Sequence, residues 1–179
     1  MIKIPFNSSI YSTFITGYLG AIGPFLGGLL MMYVIKPSDC KMSFTGLLKW
    51  KSIALIMVPA ICLGFFGTNN NDSLNPHLFG FLLGLYIAIY GILEETGWRG
   101  YLQDELKEFK PILKYFIVAC FWYTWHLTFL GKTSFVSECT IFLILWASSV
   151  GIGIMADRTQ SIIYASCFHI IGNTFVFSS

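Results

Sequence analysis

Charge is what this sequence has least of. Lys, Arg, Asp and Glu make up 11% of its 179 residues, against about 25% in an ordinary soluble domain. So few ionic side chains cannot cover the surface of a water-soluble monomer. The 55% hydrophobic and 17% aromatic content excludes a disordered chain, which is polar and poor in aromatics. A formal net charge of +2 is too small to suggest nucleic acid as a partner.

Other absences narrow the chemistry. The 5 cysteines (Cys40, Cys62, Cys120, Cys139, Cys167) form no CxxC pair and are odd in number. That speaks against a disulfide framework or a zinc-finger-type site. Most lie in apolar runs, where a free cysteine acts as a small hydrophobe. HExxH is absent, so a thermolysin-type zinc site is unsupported, and GxSxG is absent as well. Period-two alternation is missing, which argues against a β-barrel. Neither a repeat nor a low-complexity linker interrupts the chain, and no cleaved targeting segment is expected. Residues 1–179 read as one membrane domain, all-α, a polytopic bundle of about six transmembrane helices.

Six apolar stretches are present, approximately Tyr11 to Ile35, Trp50 to Gly67, Leu78 to Trp98, Ile112 to Leu130, Phe135 to Ala156 and Ser161 to Phe177. A spanning helix needs about 17–25 residues, so the second and sixth lie near the lower limit. Gly23-x-x-x-Gly27 and Gly80-x-x-x-Gly84 are candidate close helix contacts. Nine of the 11 basic residues fall in the loops after spans one, three and five. Only Lys3 and Lys132 fall on the other side. The positive-inside rule then predicts a multi-pass plasma-membrane protein with both termini outside.

Five polar residues interrupt the apolar pattern: Glu94, Glu95, His126, His169 and Asn173. A charge at mid-membrane costs at least about 2.5–3.5 kcal/mol on insertion scales, so such residues usually face the protein interior and carry function. The plainer alternative is that they only join helices through hydrogen bonds. Two carboxylates and two histidines on three spans favour the functional reading. Glu95 and Arg99 are four apart with the acid first, the favourable order for an ion pair. Glu94 is turned about 100° from Glu95, so the two need not share a role. His169 and Asn173 are also four apart and share a face. Counting about 1.5 Å per residue from the cytoplasmic ends places Glu94 at ~6 Å, His169 at ~12 Å and His126 at ~16–20 Å.

These residues resemble a known family. Glu94-Glu95-Thr-Gly-Trp-Arg99 matches the EExxxR motif of the CPBP intramembrane proteases, which include the type II CAAX prenyl endopeptidases and the bacteriocin-processing and abortive-infection-like proteins. Trp122-Tyr-Thr-Trp-His126 resembles the FxxxH motif with tryptophan for phenylalanine, and His169-Ile-Ile-Gly-Asn173 matches HxxxN. Thr159-Gln-Ser161 is similar to the usual start of the last helix. The motif-bearing core spans residues 78–177, and the chain has fewer spans than the prenyl endopeptidases.

The resemblance implies that Glu94 with His126 activates water and that His169 with Asn173 forms an oxyanion hole, with Glu95 and Arg99 in support. That division suits peptide hydrolysis near the cytoplasmic side, with a peptide or protein as substrate and the lipid bilayer as surroundings. Glu94, His126 and His169 could instead hold zinc with one open position. The chemistry favours a metal-free mechanism, so no cofactor is expected. Two other classes are weighed against the protease: a proton-coupled transporter using the Glu–His chain as a relay, and a catalytically idle membrane regulator or immunity-type interaction protein.

Overall fold

The computed structural model describes residues 10–35, 42–70, 73–127 and 134–177; the side chains of residues 10–14, 16 and 172–177 are outside that description. Lys3, Lys36, Lys41, Lys132, Cys40 and the end of the fourth predicted span at Leu130 therefore lie outside the described residues. The described chain is all helix, with one isolated bridge between Ser43 and Ser161. Six helices occupy the six apolar stretches: α1 (Ile10–Leu30), α2 (Lys49–Phe66), α3 (Pro76–Glu95), α4 (Pro111–His126), α5 (Phe135–Thr159) and α6 (Ile162–Phe177). Four helical runs, Gly17–Ile35, Gly46–Phe66, Pro76–Glu105 and Phe135–Thr159, are long and apolar enough to cross a membrane.

The start signals are local. Asn75 caps α3 by accepting from the backbone N–H of His77 and Leu78, with Pro76 at the first helical position. Pro111 opens α4 in the same way, and Ser134 caps α5. Against expectation, α4 is as short as α6, at 16 residues each.

A larger departure concerns α3. The chain does not leave the helix near Trp98; it continues as a π-helix over Thr96–Leu102 and a last α-turn over Gln103–Glu105. Glu94 thus sits some 15 Å from the end of its helical run instead of ~6 Å. A π-turn widens the helix by one residue per turn. It leaves Glu95 and Arg99 within bonding distance and turns both inward.

The glycines decide how closely helices approach. A Cβ on Gly80 would lie 2.0 Å from the Leu63 carbonyl, and one on Gly84 2.4 Å from Ala60 Cα. The Gly80-x-x-x-Gly84 pair therefore seats α3 on α2. In α1 the tight positions are Gly17 against Tyr86, Gly23 against Trp125 and Gly28, whose Cβ would lie 2.9 Å from Gly97 Cα. Gly27 has nothing within 4 Å.

Three loops meet at one end of the bundle. Ser43 N–H donates to the Gln160 carbonyl at 3.0 Å, while Ile162 and Ile163 N–H donate to the carbonyls of Ser43 and Phe44 at 3.0 and 3.1 Å. Gln160 turns the chain from α5 to α6 in a left-handed conformation (φ 53°). Asp157, on the last turn of α5, accepts from Gln103 Nε2 at 2.8 Å, Lys114 Nζ at 2.6 Å and Tyr115 Oη at 2.7 Å. The segments that carry most of the basic residues are thus gathered together.

The distribution of polarity is reversed relative to a soluble protein. The largest fully buried side chains include Arg99, Gln103, Glu94 and Glu95, while Phe65, Phe66, Phe135 and Trp50 are exposed. Helices that turn aliphatic and aromatic groups outward and carboxylates inward have lipid as their surroundings. The chain is a membrane protein.

Candidate active site

Glu94 and Glu95 occupy the last two positions of α3 and are both fully buried. Burying a carboxylate is costly unless it is hydrogen-bonded; three of the four oxygens here have partners, and Glu95 Oε2 has none among the described residues. Glu94 Oε1 accepts from Tyr90 Oη at 2.6 Å, one helical turn earlier, and Oε2 accepts from the Trp122 indole Nε1 at 3.2 Å. His169 Nε2 lies 3.7 Å from the same Oε2.

Glu95 Oε1 receives Arg99 Nη1 at 2.8 Å and His169 Nδ1 at 2.6 Å. With Glu95 acting as the acceptor, Nδ1 carries the proton and Nε2 is directed toward Glu94. The two carboxylates point different ways from α3 yet hold one imidazole between them. Arg99 completes the cluster by reaching Ser149 Oγ on α5 at 3.5 Å and lying 4.8 Å above the Trp122 ring. Such a guanidinium–indole contact adds to the ion pair where water is excluded.

The structure therefore brings together Glu94, Glu95, Arg99 and His169. His126 stands apart from that set. It lies one turn beyond Trp122 on α4, with Nδ1 2.8 Å from the Trp122 carbonyl and the two rings 5.7 Å apart. Trp122 occupies the ground between His126 and Glu94. Asn173 lies on α6 one turn beyond His169, and its side chain is outside the described residues.

The spacing reading named neither Tyr90 nor Trp122 as a partner of Glu94. Tyr90 precedes Glu94 by four residues, a signal within reach of helix geometry. For Trp122, the exchange of phenylalanine for tryptophan was the signal, because indole adds a donor that phenyl lacks. Ser149, 50 residues from Arg99, left no trace in the pattern.

Among the described residues no three His, Cys, Asp or Glu side chains converge in a metal-holding arrangement. Glu94, His126 and His169 do not form a ligand set here. Both oxygens of Glu94 are engaged by donors.

A helical membrane bundle with a buried Glu–Glu–Arg–His cluster is the class that fold and site define. The family model of Rce1-like type II CAAX prenyl endopeptidases matches residues 75–175, more than half of the chain, and the chain belongs to that family. The family is one of membrane endopeptidases, hydrolases of peptide bonds. No curated protein and no solved structure matches the chain.

Proposed function

We propose that the chain is an intramembrane endopeptidase that cleaves its substrate with water activated by Glu94 and His126, and that His169 and Asn173 stabilise the oxyanion. The observation that carries this reading is a fully buried Glu94, held by Tyr90 and Trp122, with an imidazole nitrogen 3.7 Å from its Oε2. A carboxylate in this setting takes a proton from water as the hydroxide adds to the peptide carbonyl. The charge that develops on the carbonyl oxygen is met by the Asn173 amide and, once the His169 ring holds a proton on Nε2 as well as Nδ1, by that ring. Glu95 and Arg99 are positioning residues: Glu95 fixes the His169 ring through Nδ1, and Arg99 compensates the Glu95 charge.

The short Glu94–His169 distance also favours a second division, in which His169 shares the water with Glu94 and His126 contributes to the oxyanion hole. The two readings differ in what a glutamine can replace, since an amide donates a hydrogen bond but takes no proton at neutral pH. Neither reading routes a step through zinc, because Glu94, His126 and His169 do not converge on one point.

Comparative peptidomics of cells carrying the native chain or Glu94→Ala identifies a substrate, and turnover in detergent then tests the residues. Glu94→Gln is expected to lose at least about a thousandfold in kcat, as groups that act in one proton transfer do. In the first division His169→Gln keeps part of the activity and His126→Gln keeps none; in the second the order reverses. Full turnover by Glu94→Gln would overturn the proposal. So would activity that a strong chelator removes and zinc alone restores.

A further inference from the structure

A second polar feature adjoins the cluster at Arg99. Among the buried polar atoms without a hydrogen-bond partner, Arg99 Nε, Gln103 Oε1 and Asp104 Oδ2 stand together. All three residues line one cavity of about 200 Å³, whose wall also includes Lys107, Lys114 and Asp157. Orphaned buried donors and acceptors are rare because each loses its hydration without compensation. Here one donor and two acceptors line a single space. Buried water needs two to four polar partners and takes about 30 Å³ per molecule in the liquid, so the cavity has room for several.

The charges around it favour water over an ionic ligand. Lys114 is paired with Asp157 at 2.6 Å, Lys107 faces Asp104 at 3.9 Å, and Arg99 is paired with Glu95 at 2.8 Å. Arg99 and Lys114 are directly paired, and Lys107 stands opposite Asp104 beyond hydrogen-bond distance, which leaves polarity with little net charge. The cavity also has a direction. At its outer wall the Lys107 and Asp157 side chains are 44% and 37% exposed. At its inner wall stands Arg99, fully buried and bonded to the same Glu95 oxygen that receives His169.

We infer that this cavity is a hydrated vestibule through which water passes from the surface near Lys107 to the buried cluster, with Arg99 and Gln103 as its polar inner gate. A hydrolase consumes one water per peptide bond, and the helix faces elsewhere carry many exposed apolar groups, such as Phe65, Phe66 and Ile89. The hydration stands on the orphaned atoms and the cavity alone. The supply role rests on the proposed endopeptidase reading.

The test uses the full chain with all five native cysteines replaced by alanine. Single cysteines are introduced as Gln103→Cys, Asp104→Cys, Lys107→Cys and Ala156→Cys, the last a fully buried core position. Silver ion, a thiol-reactive cation of nearly the size of water, is the probe. Because thiol reactivity follows exposure, Gln103→Cys should react within about tenfold of Lys107→Cys and at least about a hundredfold faster than Ala156→Cys. A rate at Gln103→Cys as slow as at Ala156→Cys, with Lys107→Cys reactive, makes the cavity dry and overturns the inference. If Gln103→Cys fails to fold, Asp104→Cys decides by the same comparison. A methanethiosulfonate adduct at the reactive position should then block turnover on an identified substrate, and unchanged turnover would overturn the supply role. A chain without turnover before modification defeats the endopeptidase reading, while the silver rates still decide hydration.

Discussion

Trp122 touches three members of the buried cluster. Its Nε1 donates to Glu94 Oε2 at 3.2 Å, its face carries Arg99 at 4.8 Å, and its ring lies 4.9 Å from His169. Phenylalanine would supply the face and the edge but not the donor. Trp122→Phe should therefore cost about 1–3 kcal/mol of stability, the penalty for leaving a buried carboxylate oxygen short of a partner. Thermal unfolding in a fixed detergent measures this. Tyr90→Phe, which removes the 2.6 Å bond to Oε1, should cost a similar amount, and no shift in either variant would remove both residues from the account of Glu94. At this scale the sequence was legible where partners share a helix. Glu95 with Arg99 followed from spacing, and Tyr90 with Glu94 could have. Contacts across helices, such as Arg99 with Ser149 or His169 with Glu95, depend on how α3, α5 and α6 are rotated against one another, and no local pattern encodes that rotation.

The elements were readable for the same reason that the rotations were not. Apolar runs bounded by Pro76, Pro111 and Ser134 announce helices in lipid, where the backbone has little alternative. The π-helix after Glu95 was not readable. Its residues, Thr96-Gly-Trp-Arg-Gly-Tyr-Leu102, look like the frayed end of a span, since glycine is a poor helix former. What holds them helical is tertiary: Gly97 lies so close to α1 that a Cβ there would meet the Pro24 carbonyl at 2.2 Å. Gly97→Ala should force α1 away from the π-helix and lower the unfolding temperature by several degrees, with a cost of the 1–3 kcal/mol order seen for overpacking. Gly27→Ala is the control, because nothing lies within 4 Å of that position. Equal unfolding temperatures for the two variants would show that α1 does not depend on this contact.

At the scale of the whole molecule, loop charge and packing agree on which segments lie together. Gln103 and Lys114 meet at Asp157, and Ser43 is bonded to Gln160. From the distribution of Lys and Arg this end is expected in the cytoplasm. Lys107→Cys in a background without accessible native cysteines should resist an impermeant thiol reagent applied to intact cells, and Asn70→Cys should react. The opposite pattern would invert the orientation.

The pairing of residues 43–44 with the start of α6 has a consequence for the order in which the molecule is built. The first amides of a helix have no partner within the helix itself. In α6 those of Ile162 and Ile163 are met by carbonyls of Ser43 and Phe44, well over a hundred residues earlier in the chain. A ribosome delivers the receptor long before the helix that docks on it, and contacts of such sequence separation form late. His169 arrives on that last helix. Until it docks, Glu94 and Glu95 lack the imidazole that lies between them, so a nascent chain can insert its other helices without carrying a finished protease.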